Sequence, residues 1–111
     1  MTTITIGGFT IQNKKNANSE HLIFSGEGTM GDAYDAGKEY NRILDEMVKR
    51  WFGSDERLIR QFISEHDRAN DEMHYGAEVH RNVIIGMRRV TIDITNDVSK
   101  IAINEKVKEE G

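Results

Sequence analysis

The stretch from Ser54 to about Ile84 constrains the fold more than any other part of this chain. Ile59, Phe62, His66, Ala69, Met73, Gly76, His80 and Val83 follow one another at alternating steps of three and four residues. That is the spacing of an a/d seam along one face of a helix. At 1.5 Å per residue, some 30 residues of this kind predict a rod about 45 Å long. The seam carries histidine, alanine and glycine where leucine is usual, so it admits a close backbone and buries groups that can take a charge. The chain contains no proline to kink it.

A second helical pattern precedes it, from Met30 to Phe52. Ala33, Gly37, Tyr40, Leu44, Met47 and Trp51 form its stripe, widened by Ile43 and Val48. Thr29 is placed to cap it, with Asp32 three residues on. Gly53 suits a left-handed C-terminal cap, and Ser54 a cap for the next helix, with Asp55 and Glu56 at its positive end. So short a turn predicts an antiparallel helical hairpin, setting Met47 near Ile59, Leu44 near Phe62, Tyr40 near His66, Gly37 near Ala69 and Ala33 near Met73. The Tyr40 hydroxyl is expected to satisfy His66. The second helix would then overhang the first by about three turns.

Outside the helices the period is two. Thr3 to Ile6 and Phe9 to Gln12 alternate on either side of Gly7-Gly8, predicting two strands and a tight turn, or one longer strand with a glycine bulge. Asn13 to Ser19 is a polar loop and His21 to Ser25 a short strand. Gly86 is read as the break from helix to strand. Val90, Ile92 and Ile94 alternate with Thr91, Asp93 and Thr95. Thr95-Asn96-Asp97 is a turn signal. Ile101 and Ile103 predict a returning strand, a short helix being the alternative over 97–107. The order is β-β-β-α-α-β-β. This predicts a single α+β domain over 1–111, with an antiparallel sheet from N-terminal and C-terminal β-hairpins packed on an antiparallel αα-hairpin. First and last strands could meet in one sheet.

Composition excludes several classes of function. With 111 residues, 37% apolar and 31% charged, the chain is globular rather than disordered. A net charge of −4 argues against wholesale binding to nucleic acid. The absence of cysteine removes disulfides and thiolate metal sites. No secretory leader or membrane-spanning apolar run is read, so a cytoplasmic, membrane-free protein is expected.

Several constellations bear on chemistry. The run Gly26-Glu27-Gly28-Thr29-Met30-Gly31 matches a phosphate-cradling glycine pattern. It leads into a helix followed by another helix, and Glu27, Asp32 and Asp35 would repel an anion, so a turn into a capped helix is the simpler reading. Asp67, Asp71, His74 and Glu78 share a helical stripe and are weak candidates for a divalent metal; no cofactor is expected. His66-Asp67 resembles the central dipeptide of HD-type phosphohydrolases, whose domains need further ligands that this chain lacks. His80, Arg81, Asn82, Arg88 and Arg89, with Tyr75 about a turn and a half before them, cluster around the end of the long helix. Guanidinium forks beside an aromatic ring or imidazole make an anion pocket. Buried His66 and His80 would have lowered pKa values, with stability lost below about pH 6.5.

Two copies of the long helix, antiparallel about Asp71, would set Ile59 against Val83, Phe62 against His80, His66 against Gly76 and Ala69 against Met73. A homo-oligomer is expected on this ground. The leading expectation is a non-enzymatic, self-associating protein that captures an anionic, nucleotide-like small molecule. The alternatives are an inhibitor or adaptor of a partner protein, of the kind found among phage accessory proteins, and a metal-dependent hydrolase.

Overall fold

The computed structural model describes residues 1–74 and 78–107. Three strands, β1 (Thr2–Ile6), β2 (Phe9–Lys15) and β3 (Glu20–Gly26), lead into two helices, α1 (Met30–Phe52) and α2 (Glu56–His74). Three more follow: β4 (Val79–Ile85), β5 (Arg88–Ile94) and β6 (Val98–Lys106). All six make one antiparallel sheet in the order β1-β2-β3-β6-β5-β4. The fold is α+β, and the two ends of the chain do share a sheet, joined where β3 pairs with β6.

Local chemistry accounts for most boundaries. Gly7 takes φ +58° in the two-residue turn between β1 and β2. The Thr29 hydroxyl accepts from the Asp32 amide at 3.1 Å, so α1 starts as expected. Gly53 closes α1 with φ +63°. The cap of α2 is Asp55 rather than Ser54; its carboxylate accepts from the amides of Arg57 and Leu58 at 3.1 and 3.4 Å. A carboxylate there also meets the positive helix end. Residues 98–106 are strand, which resolves the strand-or-helix alternative.

The glycine-rich run serves backbone contact. A Cβ on Gly26 would lie 2.1 Å from the Gly8 carbonyl oxygen, and one on Gly8 would lie 1.9 Å from that of Glu27. The two glycine segments therefore cross where no side chain fits.

The long helix is the main correction. α2 ends at His74, and residues 79–85 form an edge strand. Val79, Arg81, Val83 and Ile85 turn toward the helices, a period of two carried by β-branched residues. His80 and Val83 fit a helical seam by spacing alone, because a separation of three satisfies that period in a short window. Gly86 is a turn residue: Gly86 and Met87, at φ +57° and +68°, form a two-residue hairpin loop between β4 and β5. The overhang and the Asp71-centred helix pairing drawn from it do not exist in this fold. Gly76 lies outside the described residues.

One face of the sheet carries the core. Ile11, Leu22, Val90, Ile92, Ile101 and Ile103 meet Tyr40, Leu44, Met47, Phe52, Phe62 and Ala69 from the helices. Each fully buried aliphatic side chain contributes roughly 1.5–3 kcal/mol by transfer from water. α1 lies across β1 to β3 and α2 across β4 and β5. Near the hairpin turn the helices touch through Phe52 and Phe62, whose rings lie 6.3 Å apart, and farther along the Tyr40 and His66 rings stack at 6.4 Å as expected. Toward the start of α1 the expected small-to-large fit lapses. Ala33 is exposed, and a methyl group placed on Gly37 would meet nothing within 4 Å. A twisted sheet spreads helices that sit on its two halves. The Tyr40 hydroxyl is buried without a hydrogen bond among the described residues, so it does not satisfy His66. Burial pushes its pKa up to about 12.

Candidate functional site

The helices cover one face of the sheet, and the other face is open. Alternation decides which residues of the expected anion cluster reach it. Arg81 and Arg88 point toward the helices. Arg81 Nη2 lies 2.8 Å from Glu65 Oε2, and its Nη1 donates to Glu72 at 3.0 Å. The Arg88 guanidinium sits 4.6 Å from the centre of the Trp51 ring and donates to the Asn104 carbonyl at 3.2 Å. Both are structural cations. His80, Asn82 and Arg89 remain on the open side. The residues expected at one helix end thus lie on a β-hairpin and divide between two faces. Tyr75 lies outside the described residues.

His80 Nδ1 is 2.9 Å from Asp93 Oδ1, and its Nε2 is 3.6 Å from Glu78. Those carboxylates raise its pKa, Asp93 first, whereas a buried, lowered value was expected. His66 follows the expectation: desolvation between Tyr40 and Phe62 lowers its pKa, with Asp67 opposing. The acidic stripe does not persist either. Asp67 and Asp71 are exposed on α2, while Glu78 lies beyond its end. No group of three or more metal-ligating side chains forms among the described residues.

The open face has its own organisation. One row across the sheet runs Lys14, His21, Ala102, Thr91, Asn82, each paired with the next on its neighbouring strand. The next row holds Ile23, Lys100, Asp93 and His80. Ala102, small and nearly covered, lies at the middle of the first row. A cavity of about 1260 Å³ opens next to Thr91, lined by Asn82, Arg89, Thr91, Asn104, Glu105, Lys106 and Val107 and walled by residues 16–19. A smaller one of about 380 Å³ adjoins it at Asn16, lined by Lys14, His21 and Lys100.

Two local features shape the larger cavity. The pairing of β5 with β6 shifts register between Arg88 and Val90, where a bulge in β6 sets Asn104 and Glu105 opposite the single residue Arg89. The Asn104 amide then reaches back to the Arg89 carbonyl at 3.3 Å and to Thr91 Oγ1 at 3.4 Å. Thr91 in turn donates to Asn82 Oδ1 at 3.0 Å. The β2–β3 wall is held by Asn16, whose side-chain oxygen accepts from the amides of Asn18 and Ser19, each at 2.8 Å.

Several cations on this face stand apart from carboxylates, although Glu105 also lines the larger cavity. Arg89, Lys14, Lys100 and Lys106 make no ion pair among the described residues, in contrast to Arg81. His21 registers their field: burial lowers its pKa, and the charges of Lys100 and Lys14 lower it further. Lys14, His21, Lys100 and Asn104 belong to this arrangement and were missed in the sequence. Their alternation along β2, β3 and β6 was the available signal, but it needed the strand pairing to bring them together.

Beneath the same wall, on the helix side, Glu20 is fully buried. It accepts from Arg50 Nε and Nη2 at 2.9 and 3.0 Å, Trp51 Nε1 at 2.8 Å and Asn13 Nδ2 at 2.9 Å. Burial alone would raise its pKa, but these hydrogen bonds and the Arg50 charge hold it below the usual carboxylate value. The network ties β2, β3 and α1 together where the wall begins. No helix among the described residues is long and apolar enough to cross a membrane. No protein-family model, curated protein or solved structure matches the chain.

Proposed function

We propose that this chain is a non-enzymatic binding protein that captures an anionic, nucleotide-like small molecule on the open face of its sheet, and that it acts as a self-associated assembly. The observation that carries the reading is that Lys14 and Lys100, lining the smaller cavity, and Arg89, lining the larger one that adjoins it, make no ion pair among the described residues, in a chain whose net charge is negative. Phosphate or carboxylate oxygens fit these cations, and the Asn82 and Asn104 amides offer a donor and an acceptor for a polar ring edge. The size of the larger cavity suits a nucleoside phosphate rather than a bare ion.

Titration calorimetry with nucleoside mono- and triphosphates, and with inorganic phosphate alone, tests the reading. Binding of a nucleotide is expected, weakened about tenfold or more by Arg89→Ala, since a hydrogen bond to a charged group contributes about 1.5–3 kcal/mol. Arg88→Ala is expected to leave that affinity unchanged, because its guanidinium faces Trp51. Equal loss in both variants, or no binding by the native chain, would overturn the site assignment.

A further inference from the structure

We infer that a second copy of this chain docks on the outer edge of β4, antiparallel and in register about Asn82, so that two sheets continue as one. This docking rests on the self-association proposed above and is independent of the ligand. β4 pairs with β5 on one side and is the last strand in the order, so its other side is an edge among the described residues. The two-residue turn Gly86-Met87 makes Ile85 and Arg88 the closing pair. In such a hairpin the closing pair exchanges both backbone hydrogen bonds, and the pattern then alternates. Val83, Arg81 and Val79 therefore bond inward to β5. His80, Asn82 and Ile84 turn their amides and carbonyls to the edge.

That edge lacks several of the usual defences, with Arg81 its one inward-facing charge. The chain has no proline, β4 carries no bulge against β5, and no lysine lies in the strand. Apolar surface flanks it instead, with Ile84 58% and Met87 47% exposed. β1, the other edge, is shorter and threonine-rich.

Charge then selects the register. A two-fold axis at Asn82 pairs the whole strand with its copy: Val79 with the partner's Ile85, His80 with the partner's Ile84, Arg81 with the partner's Val83, and Asn82 with itself. No like charges meet. A shift that centres the axis on Arg81 sets two guanidinium groups opposite each other, which is repulsive. The amide of Asn82, by contrast, is both donor and acceptor.

The helices fit the same symmetry. Glu65 and Glu72 of α2 reach Arg81, so the stripe they share with Gln61 and Arg68 flanks the β4 side. Since α2 covers both β4 and β5 and strands are spaced about 4.8 Å apart, two such helices would run side by side at about 10 Å, an ordinary packing distance. Their facing stripes are mixed in sign and compatible with one another. Asn82 also lines the large cavity, so the two ligand sites would lie on one continuous face, either side of the axis.

The native chain is expected to sediment at twice its 12.7 kDa mass. Ile84→Lys, a change on an exposed side chain, is expected to give a monomer with an unaltered far-ultraviolet circular dichroism spectrum. Asn82→Cys is expected to oxidise to a covalent dimer, because the native chain has no cysteine and only this register places position 82 against itself. Thr3→Cys, on β1, is the control and should remain uncrosslinked. A native monomer at millimolar concentration would overturn both this inference and self-association. A native dimer that persists in Ile84→Lys and fails to crosslink through position 82 would keep self-association and overturn the β4 edge as its surface.

Discussion

Glu20→Gln tests the account of the anchor beneath the candidate site. The substitution keeps shape and volume and removes the charge. Glu20 Oε1 accepts from Arg50 Nε and Trp51, and Oε2 from Arg50 Nη2 and Asn13. Glutamine retains one acceptor oxygen, so its amide nitrogen must face two donors whichever way it turns. Two bonds are lost, at least one of them charge-assisted, and each such loss at a buried group costs about 1–2 kcal/mol. The Arg50 side chain is 37% exposed, so water recovers part of its share. The expected loss is about 2–3 kcal/mol, or roughly 8–12 °C in Tm for a chain of this size. Urea unfolding read by fluorescence and by circular dichroism measures it. Trp51, the only tryptophan, donates directly to Glu20, so its emission reports the site itself. The native carboxyl titrates below its ordinary value of 4.5. Its stabilisation is therefore full above that pH and lost as pH falls through the depressed value, and the variant should lack this acid-dependent component. A loss below about 0.5 kcal/mol, within the range of ordinary surface changes, would refute the reasoning.

Other outcomes follow from the same structure. Met87 holds φ +68°, where asparagine is at less disadvantage, so Met87→Asn should gain about 0.5–1 kcal/mol in urea unfolding; a loss would show that its side chain matters more than its backbone. Arg88→Ala should lower stability by about 1–2 kcal/mol through the lost contact with Trp51, while Arg89→Ala should stay within about 0.5 kcal/mol of native. His66 has a folded pKa below its ordinary 6.5, so its contribution is intact above that pH and stability falls as pH drops beneath it. His66→Phe should flatten that part of the profile. His80 is raised and acts in the opposite sense: its pairing with Asp93 is full below pH 6.5 and is lost as pH rises through the raised value. Tm measured from pH 8 to 5 in His66→Phe and His80→Ala separates the two.

The caps of α1, the Gly7-Gly8 turn and the alternation of β5 were legible because each depends on residues within a few positions of one another. Thr29 with Asp32, and Gly7-Gly8, are such cases. The end of α2 was not legible, since a seam read at steps of three and four runs without interruption into a strand whose apolar residues recur at steps of two. His80 and Val83 satisfy the first period, and Val79, Arg81, Val83 and Ile85 the second; the β-branched content of 79–85 was the discriminating signal. The candidate site was half legible. Arg89 and Asn82 stood in the expected cluster, but neighbouring Arg88 and Arg81 could be set aside only once the pleat assigned each side chain to a face. Glu20 gave no sign at all, because its partners Arg50 and Trp51 are thirty positions away on another element.

The junction of β3 with β6 has a consequence for how the chain reaches this state. It joins Glu20 to Ile103 and Ser25 to Val98, so the central seam of the sheet waits until β6 has been synthesised. Until then a three-stranded meander and a pair of helices can form from local contacts, but the inner edge of β3 stays open. Closing so large a loop is slow compared with forming helices or hairpins. The rate-limiting step of folding is therefore expected to be the docking of the C-terminal three strands onto the N-terminal three, and shortening the chain within β6 should leave two half-sheets with nothing to hold them together.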